Sequence, residues 1–283
     1  MKYNELKIHG EPDFPIELYH LDHTSPKYEM ACHYHSDIEL IYVISGNLSV
    51  TLNNTAFTAK SGDFVFVNSE TLHSAIPSDC VYECIVFNFD FFLSIPERSV
   101  LNLAEKIKNH DIAVRPVFNA ECGEIYNNLH NIFKAMNENS DTRKLLVIGE
   151  MYRLFSLIIK GGYFTAVSSS VSAVSDDKST AKLKKVLSFI RENYAKPLTL
   201  EEMAAVAGMS EKYFCYFFKK MTNKSPVEYL ISYRIECAAR QLLNTDYSVT
   251  EIAYSSGFND LSYFIKTFKA IKGVTPKEFR KGI

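Results

Sequence analysis

Residues 248–279 read SVTEIAYSSGFNDLSYFIKTFKAIKGVTPKEF, and residues 199–229 read TLEEMAAVAGMSEKYFCYFFKKMTNKSPVEY. The two stretches align with an offset of 49, which rises to 50 after one extra residue in the later copy. Each opens with a capping box, Thr199 with Glu202 and Ser248 with Glu251, in which hydroxyl and carboxylate reciprocally satisfy free helix N–H groups. Each then places a small residue, Ala204 or Ala253, four positions before a glycine, Gly208 or Gly257. The small residue lets two helices approach, and the glycine accepts a left-handed turn between them. A new N-cap follows, Ser210 or Asn259, and the second helix ends near Ser225-Pro226 or Thr275-Pro276. One glycine turn is common to many helical hairpins, but two copies with matching caps and terminators define a duplicated helix-turn-helix.

The second helix of each copy sorts its residues by face. Phe214, Phe217, Phe218 and Met221 lie at core spacing in one, as do Phe264, Phe268 and Ile271 in the other. The opposite faces, Lys212, Cys215, Tyr216 and Lys219, and Ser262, Ile265, Lys266 and Lys269, are expected to enter the grooves of double-stranded DNA. Lys212, Ser262 and Lys266 can hydrogen-bond base edges, and Cys215 and Ile265 offer apolar contact to a thymine methyl. Lys219, Lys220 and Lys269 are placed to reach phosphates, and the caps Ser210 and Asn259 complete the DNA-facing set. The plainer reading of any one of these lysines is a solvated face. Between the copies, SPVEYLISYRIECAARQLLNTD (225–246) reads as one helix of about 18 residues, a rod of about 27 Å. Such a rod holds two recognition helices about one DNA turn apart.

Charge is divided in the same way. Residues 180–283 carry 17 Lys and Arg against 10 Asp and Glu, whereas residues 1–179 carry 14 against 23. A basic back half suits a polyanionic partner, because cations beside phosphates release condensed counterions. With 283 residues, 47% of them hydrophobic, the chain fits about two ordinary domains. The six cysteines form no CxxC pair, as in reduced cytosolic proteins. The amino terminus lacks a secretory core and no apolar run reaches membrane length, so a cytoplasmic location without membrane contact is expected.

Four compartments are expected: a β-rich barrel or sandwich over 1–100, a helical segment over 101–162, a serine-rich linker over 163–180 and an all-α domain over 181–283. The short strand-like runs ELIYVIS, LSVTLN, DFVFVNS and YECIVFNF carry the first. TRKLLVIGEMYRLFSLIIK (142–160) is apolar around so much of its circumference that one face should pack on the β-domain and another on a second copy of the chain. A homodimer is therefore expected.

Within the β-rich part, residues 33–46 read HYHSDIELIYVISG. His33, His35 and Glu39 share parity, so an uninterrupted strand would point all three one way, as a metal centre needs. No metal or other cofactor is required by that spacing.

The carboxy-terminal hundred residues resemble the DNA-binding domain of AraC-type transcription regulators, above all through Gly257, Phe258, Tyr263, Phe264, Phe268, Lys269, Gly273, Thr275 and Pro276. The resemblance implies base contacts from Lys212, Cys215, Tyr216, Ser262 and Lys266, although Tyr216 stands where arginine is frequent. It also implies a cupin-like sensor in front, a dimerising helical pair and, for an activator, contact with RNA polymerase. HYHSDIELIYVISG is similar to the first cupin motif, and Gly62 with DFVFVNSETLH supplies His73 for the second. His33, His35, Glu39 and His73 then either line a metal-free effector pocket with Tyr42, Phe64 and Phe66 nearby, or hold a divalent metal, or serve structure alone. The expectation is a DNA-binding activator answering to a small-molecule effector, a carbohydrate by the resemblance, and not an enzyme. A metal-dependent cupin enzyme fused to a DNA-binding domain is the alternative.

Overall fold

Two fifteen-residue strands organise the front of the chain in a computed structural model, which describes residues 9–281 apart from 12, 26–27, 95–97, 109–110 and 167–170. The strands of this part are β1 (Ile16–Leu21), β2 (Met30–His33), β3 (Ile38–Leu52), β4 (Thr55–Lys60), β5 (Phe64–Val67) and β6 (His73–Phe87). The long β3 and β6 pair antiparallel from Ile38 opposite Phe87 to Leu52 opposite His73. Their free edges each serve two partners: β6 takes β1 and β2, and β3 takes β5 and β4. Among the described residues the ladder is an open path, so of the barrel or sandwich expected it forms no closed barrel.

ELIYVIS and LSVTLN, expected as separate strands, are one. The register slips between Val43 and Asn47, where Gly46 has φ 74° and a Cβ would meet the Asp79 carbonyl oxygen at 2.0 Å. A bulge bends a strand without ending it and shifts its parity. Hence Ile41 and Val43 share a buried cluster with Leu48 and Val50, and with Val65, Val67, Tyr82 and Cys84. The other face of the sheet, with Ile38, Leu40, Phe64, Phe66, Ile85 and Phe87, packs against helices.

Those helices are α1 (Arg98–Lys108), then, after β7 (Ile112–Val114) and β8 (Val117–Phe118), α2 (Glu124–Asn137) and α3 (Arg143–Gly161). The expected helical segment 101–162 thus contains two strands, one of which, β8, extends the main sheet beside β5. Leu129, Ile132 and Phe133 of α2 and Met151, Leu154 and Phe155 of α3 are buried in the same cluster as the sheet.

The expected linker holds regular structure on both sides of residues 167–170, which lie outside the described residues. β9 (Phe164–Ala166) pairs with β7, and α4 (Val171–Asn193) begins inside the serine-rich stretch. Serine-rich composition suggested a loop, but β9 finds a strand partner about fifty residues earlier in the chain. The helix is anchored further on by Leu183, Val186, Leu187 and Ile190, buried at helical spacing. Packing divides the chain into Met1–Ala173 and Val174–Ile283.

The second unit continues with α5 (Leu200–Ala207), α6 (Glu211–Thr222), α7 (Pro226–Asn244), α8 (Val249–Ser255), α9 (Leu261–Lys272) and α10 (Pro276–Lys281). α7 has 19 residues, as its uninterrupted helical spacing requires. No helix among the described residues is long and apolar enough to cross a membrane.

Candidate functional site

Each half of the second unit is built by the same local chemistry. Glu202 N–H donates to Thr199 Oγ1 and Thr199 N–H to the Glu202 carboxylate, at 3.2 and 2.8 Å, and Ser248 with Glu251 repeats the exchange. Two further boxes, Ser225 with Glu228 and Thr275 with Glu278, open α7 and α10. The repeat is therefore three helices long per copy, and S/T-x-x-E at the two prolines was its unread signal. Ala204 and Ala253 are buried where α5 and α8 meet their partners.

The turns differ in detail. Gly208 caps α5 in the left-handed region, with open space where a Cβ would be. Gly257, at φ 87°, follows the cap Ser256 and lies against the Tyr194 carbonyl and the Arg234 guanidinium. Asn259, expected as the cap of α9, sits one residue early: Asp260 Oδ1 accepts from Tyr263 N–H at 2.6 Å. Both residue types cap well, and only Asp260 stands three positions before a free helix N–H. Ser210 caps α6 by position without a side-chain hydrogen bond.

Phe214, Phe217 and Phe218, and Phe264 and Phe268, are buried as their spacing requires. Ile271 is 36% exposed and is not core; beside it Lys272 is buried and reaches Glu236 Oε1 at 2.5 Å. The opposite faces present Lys212, Tyr216, Lys219 and Lys220 on α6, and Ser262, Lys266 and Lys269 on α9, all exposed, with Cys215 and Ile265 half-buried. Tyr213 and Tyr263, outside the DNA-facing set expected from the sequence, are 57% and 50% exposed. Large aromatics off the core spacing were the available signal. Such rings and cations on one helix face suit bases and phosphates.

The first unit holds a polar cluster in which Glu39 and His73 are buried and His33 and His35 half-buried. His33 ends β2 and His73 begins β6, directly opposite it, while Glu39 lies on the central β3 and His35 in the bend before it. One donor atom from each of the four lies within 4.8 Å of the others. Each imidazole Nδ1 faces a backbone carbonyl, Ala31, Asp37 and Thr71 for His33, His35 and His73, at 2.8, 2.9 and 2.8 Å. With Nδ1 engaged in this way, Nε2 is the nitrogen by which His35 and His73 approach Glu39. Glu39 Oε2 stands 3.5 Å from His35 Nε2 and 3.2 Å from His73 Nε2.

Burial alone would raise the Glu39 carboxyl, but His35 and His73 hold it well below the usual carboxylate range. Burial would lower His35, yet its bond to Glu39 leaves it raised. His33 is driven well below the usual imidazole value, by burial first and then by the neighbouring rings. Glu39 and His35 thus favour each other's charged form, while His33 is held toward its neutral form.

Tyr42, expected to join these residues, does not. It has the opposite parity to Glu39 on β3 and stacks on Phe64 at 4.5 Å, with His130 and Phe133 of α2 around it. Phe66 is buried on that same helix-covered face. The side chains over the cluster are others: His9 bonds the Tyr19 hydroxyl at 3.1 Å and its ring lies 6.2 Å from that of His35.

Two family models match the chain. One, described as a helix-turn-helix domain, covers residues 203–282, and the other, an AraC-like ligand binding domain, covers residues 15–155. YdeC of Bacillus subtilis strain 168, an uncharacterized HTH-type transcriptional regulator, is 25% identical over 98% of this chain and 95% of its own. The melibiose operon regulatory protein of Escherichia coli K12 is 22% identical over 94% of this chain and 91% of its own. The crystal structure of an apo form of ToxT from Vibrio cholerae superposes with a TM-score of 0.50 at 15% identity, covering 94% of this chain and 96% of that one. That likeness is one of fold.

Proposed function

The chain belongs to the AraC-type transcription regulators, a ligand-binding domain followed by a helix-turn-helix region, and we propose that α6 and α9 read two successive major-groove segments of one operator. The observation that carries this is the duplicated helix-turn-helix with an exposed basic and aromatic face on the second helix of each copy. In this reading Lys212, Cys215 and Tyr216, and Ser262, Ile265 and Lys266, meet base edges, while Lys219, Lys220 and Lys269 meet phosphates. α7, about 28 Å long, spaces the readers by about one turn of DNA.

The effector is proposed to enter the N-terminal unit at His33, His35, Glu39 and His73, whose polar atoms suit hydroxyl groups. A carbohydrate is supported by a relative of nearly equal length that is named for a melibiose operon. Effector binding would act by favouring one arrangement of the DNA readers over another. A homodimer in the cytoplasm, activating through contact with RNA polymerase, completes the reading; Leu145 and Leu146 of α3, 72% and 44% exposed, are among the exposed apolar side chains that could meet a second copy. The alternative of a fused enzyme has no support from the relatives, which are named as regulators.

Thermal-shift screening of the full chain against a sugar panel tests the effector. One sugar should raise the melting midpoint and change operator affinity together, since only ligands of the folded state raise it. A panel without any shift would remove the carbohydrate assignment.

A further inference from the structure

We propose that Arg234 is a positioning residue for DNA reading: it fixes the seat of α9 against α7 and the chain leaving α4, and so sets affinity for the segment that α9 reads without itself touching DNA. The proposal rests on the assignment of α6 and α9 as groove readers.

Three observations carry it. The first is a fork. Arg234 is half-buried within α7, and its guanidinium donates through Nε to the Tyr194 carbonyl and through Nη2 to the Lys196 carbonyl, both at 2.8 Å. Those carbonyls belong to the turn that follows α4, beyond the reach of the helix's own N–H groups. Burial works against the charge of Arg234, but a guanidinium stays protonated in proteins and its rigid plane answers two acceptors at once.

The second is what lies against the fork. A Cβ on Gly257, in the turn of the second helix-turn-helix, would stand 2.9 Å from Nε and 3.1 Å from Cζ of Arg234. The next residue, Phe258, is buried, with its ring 6.1 Å from that of Tyr263 and 5.1 Å from that of Phe264. Tyr263 lies in the first turn of α9, beside Ser262, and is near enough to Arg234 to act on its charge. Arg234 is thus a few contacts from the base-reading face. A tilt of α9 about this point moves Ser262 and Lys266 together, and hydrogen bonds to base edges weaken steeply with misalignment.

The third is that this seat belongs to the second copy. At the other end of α9 the buried Lys272 reaches Glu236 of α7 at 2.5 Å, so α7 holds both ends of the reader by charged side chains. The matching places of the first copy differ. Gly208 has open space where a Cβ would be, and Thr222, fifty residues before Lys272, donates its hydroxyl to the carbonyls of Phe218 and Lys224. Loss of Arg234 should therefore be felt at one segment of the operator.

The probe is a duplex recovered from a random pool by the full wild-type chain, in which the α9 segment is the one that Lys266→Ala relaxes. Affinity is measured for this duplex and for one with that segment scrambled. The variants are Arg234→Met, Arg234→Lys, which keeps the charge without the fork, and Gly257→Ala, which presses a methyl group on the guanidinium from the other side. Each should lose about tenfold to hundredfold on the intact duplex and little on the scrambled one. The slope of log K against log salt should stay that of the wild type, because no phosphate contact is removed. Gly208→Ala, a local change in the other turn, should leave the ratio between the two duplexes unchanged. Circular dichroism at the assay temperature identifies the folded variants, and Arg234→Lys carries the test if Arg234→Met does not fold. A wild-type ratio in a folded Arg234 variant overturns the proposal, as does an equal loss on both duplexes. A salt slope lowered by about one overturns it too, by placing Arg234 on a phosphate. A wild-type chain that binds both duplexes equally removes the groove assignment, and this proposal with it.

Discussion

Gly257 packs directly against Arg234: a Cβ on the glycine would stand 2.9 Å from the arginine Nε and 2.5 Å from the Tyr194 carbonyl, to which that Nε donates at 2.8 Å. The second helix-turn-helix is thereby tied to the end of α4 through α7. Gly257→Ala pays both for a φ of 87° and for displacing this contact, whereas Gly208→Ala, at φ 63° with open space around it, carries the conformational cost alone. Expected losses are about 1–2 kcal/mol for Gly208→Ala and more than about 2 kcal/mol for Gly257→Ala. Chemical denaturation of both variants checks the order, and equal losses would show that the Arg234 contact is unimportant.

Acid should weaken the second unit through its four capping boxes. Hydrogen bonds from the cap residue hold Glu202, Glu228, Glu251 and Glu278 below their ordinary value of 4.5, through the backbone N–H first at Glu202 and Glu228 and the hydroxyl first at the other two. A carboxylate whose folded value is lowered contributes stability that is whole above its unfolded value and lost as pH falls through the folded one. Helical melting of the full chain should thus drop from just above pH 4.5 downward, and a quadruple Glu→Gln variant should drop less. The same acid slope in both proteins would contradict this.

Salt dependence separates the two classes of DNA contact. Lys266→Ala, at a base-edge position, should cost about 1–3 kcal/mol and relax preference at one base pair. Lys219→Ala and Lys269→Ala, at phosphate positions, should weaken all duplexes alike and each lower the slope of log K against log salt by about one. Anisotropy titrations at several salt concentrations distinguish these outcomes; a uniform loss from Lys266→Ala would move that residue to the phosphates.

Thiol reactivity offers an independent view of the same helix. Burial pushes the Cys32 thiol up to about 12 and Cys84 well above its ordinary value, and Cys80 and Cys237 are also buried. Native protein at pH 8 should therefore alkylate at Cys122 and Cys215, the two half-buried cysteines. Operator DNA should protect Cys215 and leave Cys122 unchanged by mass spectrometry. Loss of protection at Cys215 would take α6 out of the groove.

Local chemistry made the second unit legible, because capping boxes, glycine turns and aromatic spacing act within a few residues of chain. Its misreadings were local too: Asn259 for Asp260 as cap, and Ile271 for core where the helix outruns its partner. The first unit depends on distant pairings. The bulge at Gly46, which joins two expected strands and flips their parity, is visible only once Asp79 is placed opposite it. The strand β9 inside a serine-rich stretch required β7 as its partner. The histidine cluster was readable because the motif put three of its members at the end of β2, in the segment after it and at the start of β3, but alternation along β3 is what sends Tyr42 to the other side of the sheet.

Selection of duplexes from a random pool by the purified full chain, followed by footprinting of the winners, tests the central claim most directly. Two α6- and α9-sized segments about 10–11 base pairs apart on one face of the duplex should emerge, with the segment read by α9 degraded at one position in Lys266→Ala. Equal retention of all sequences, or a single short segment unaffected by substitutions on either helix, would contradict the account.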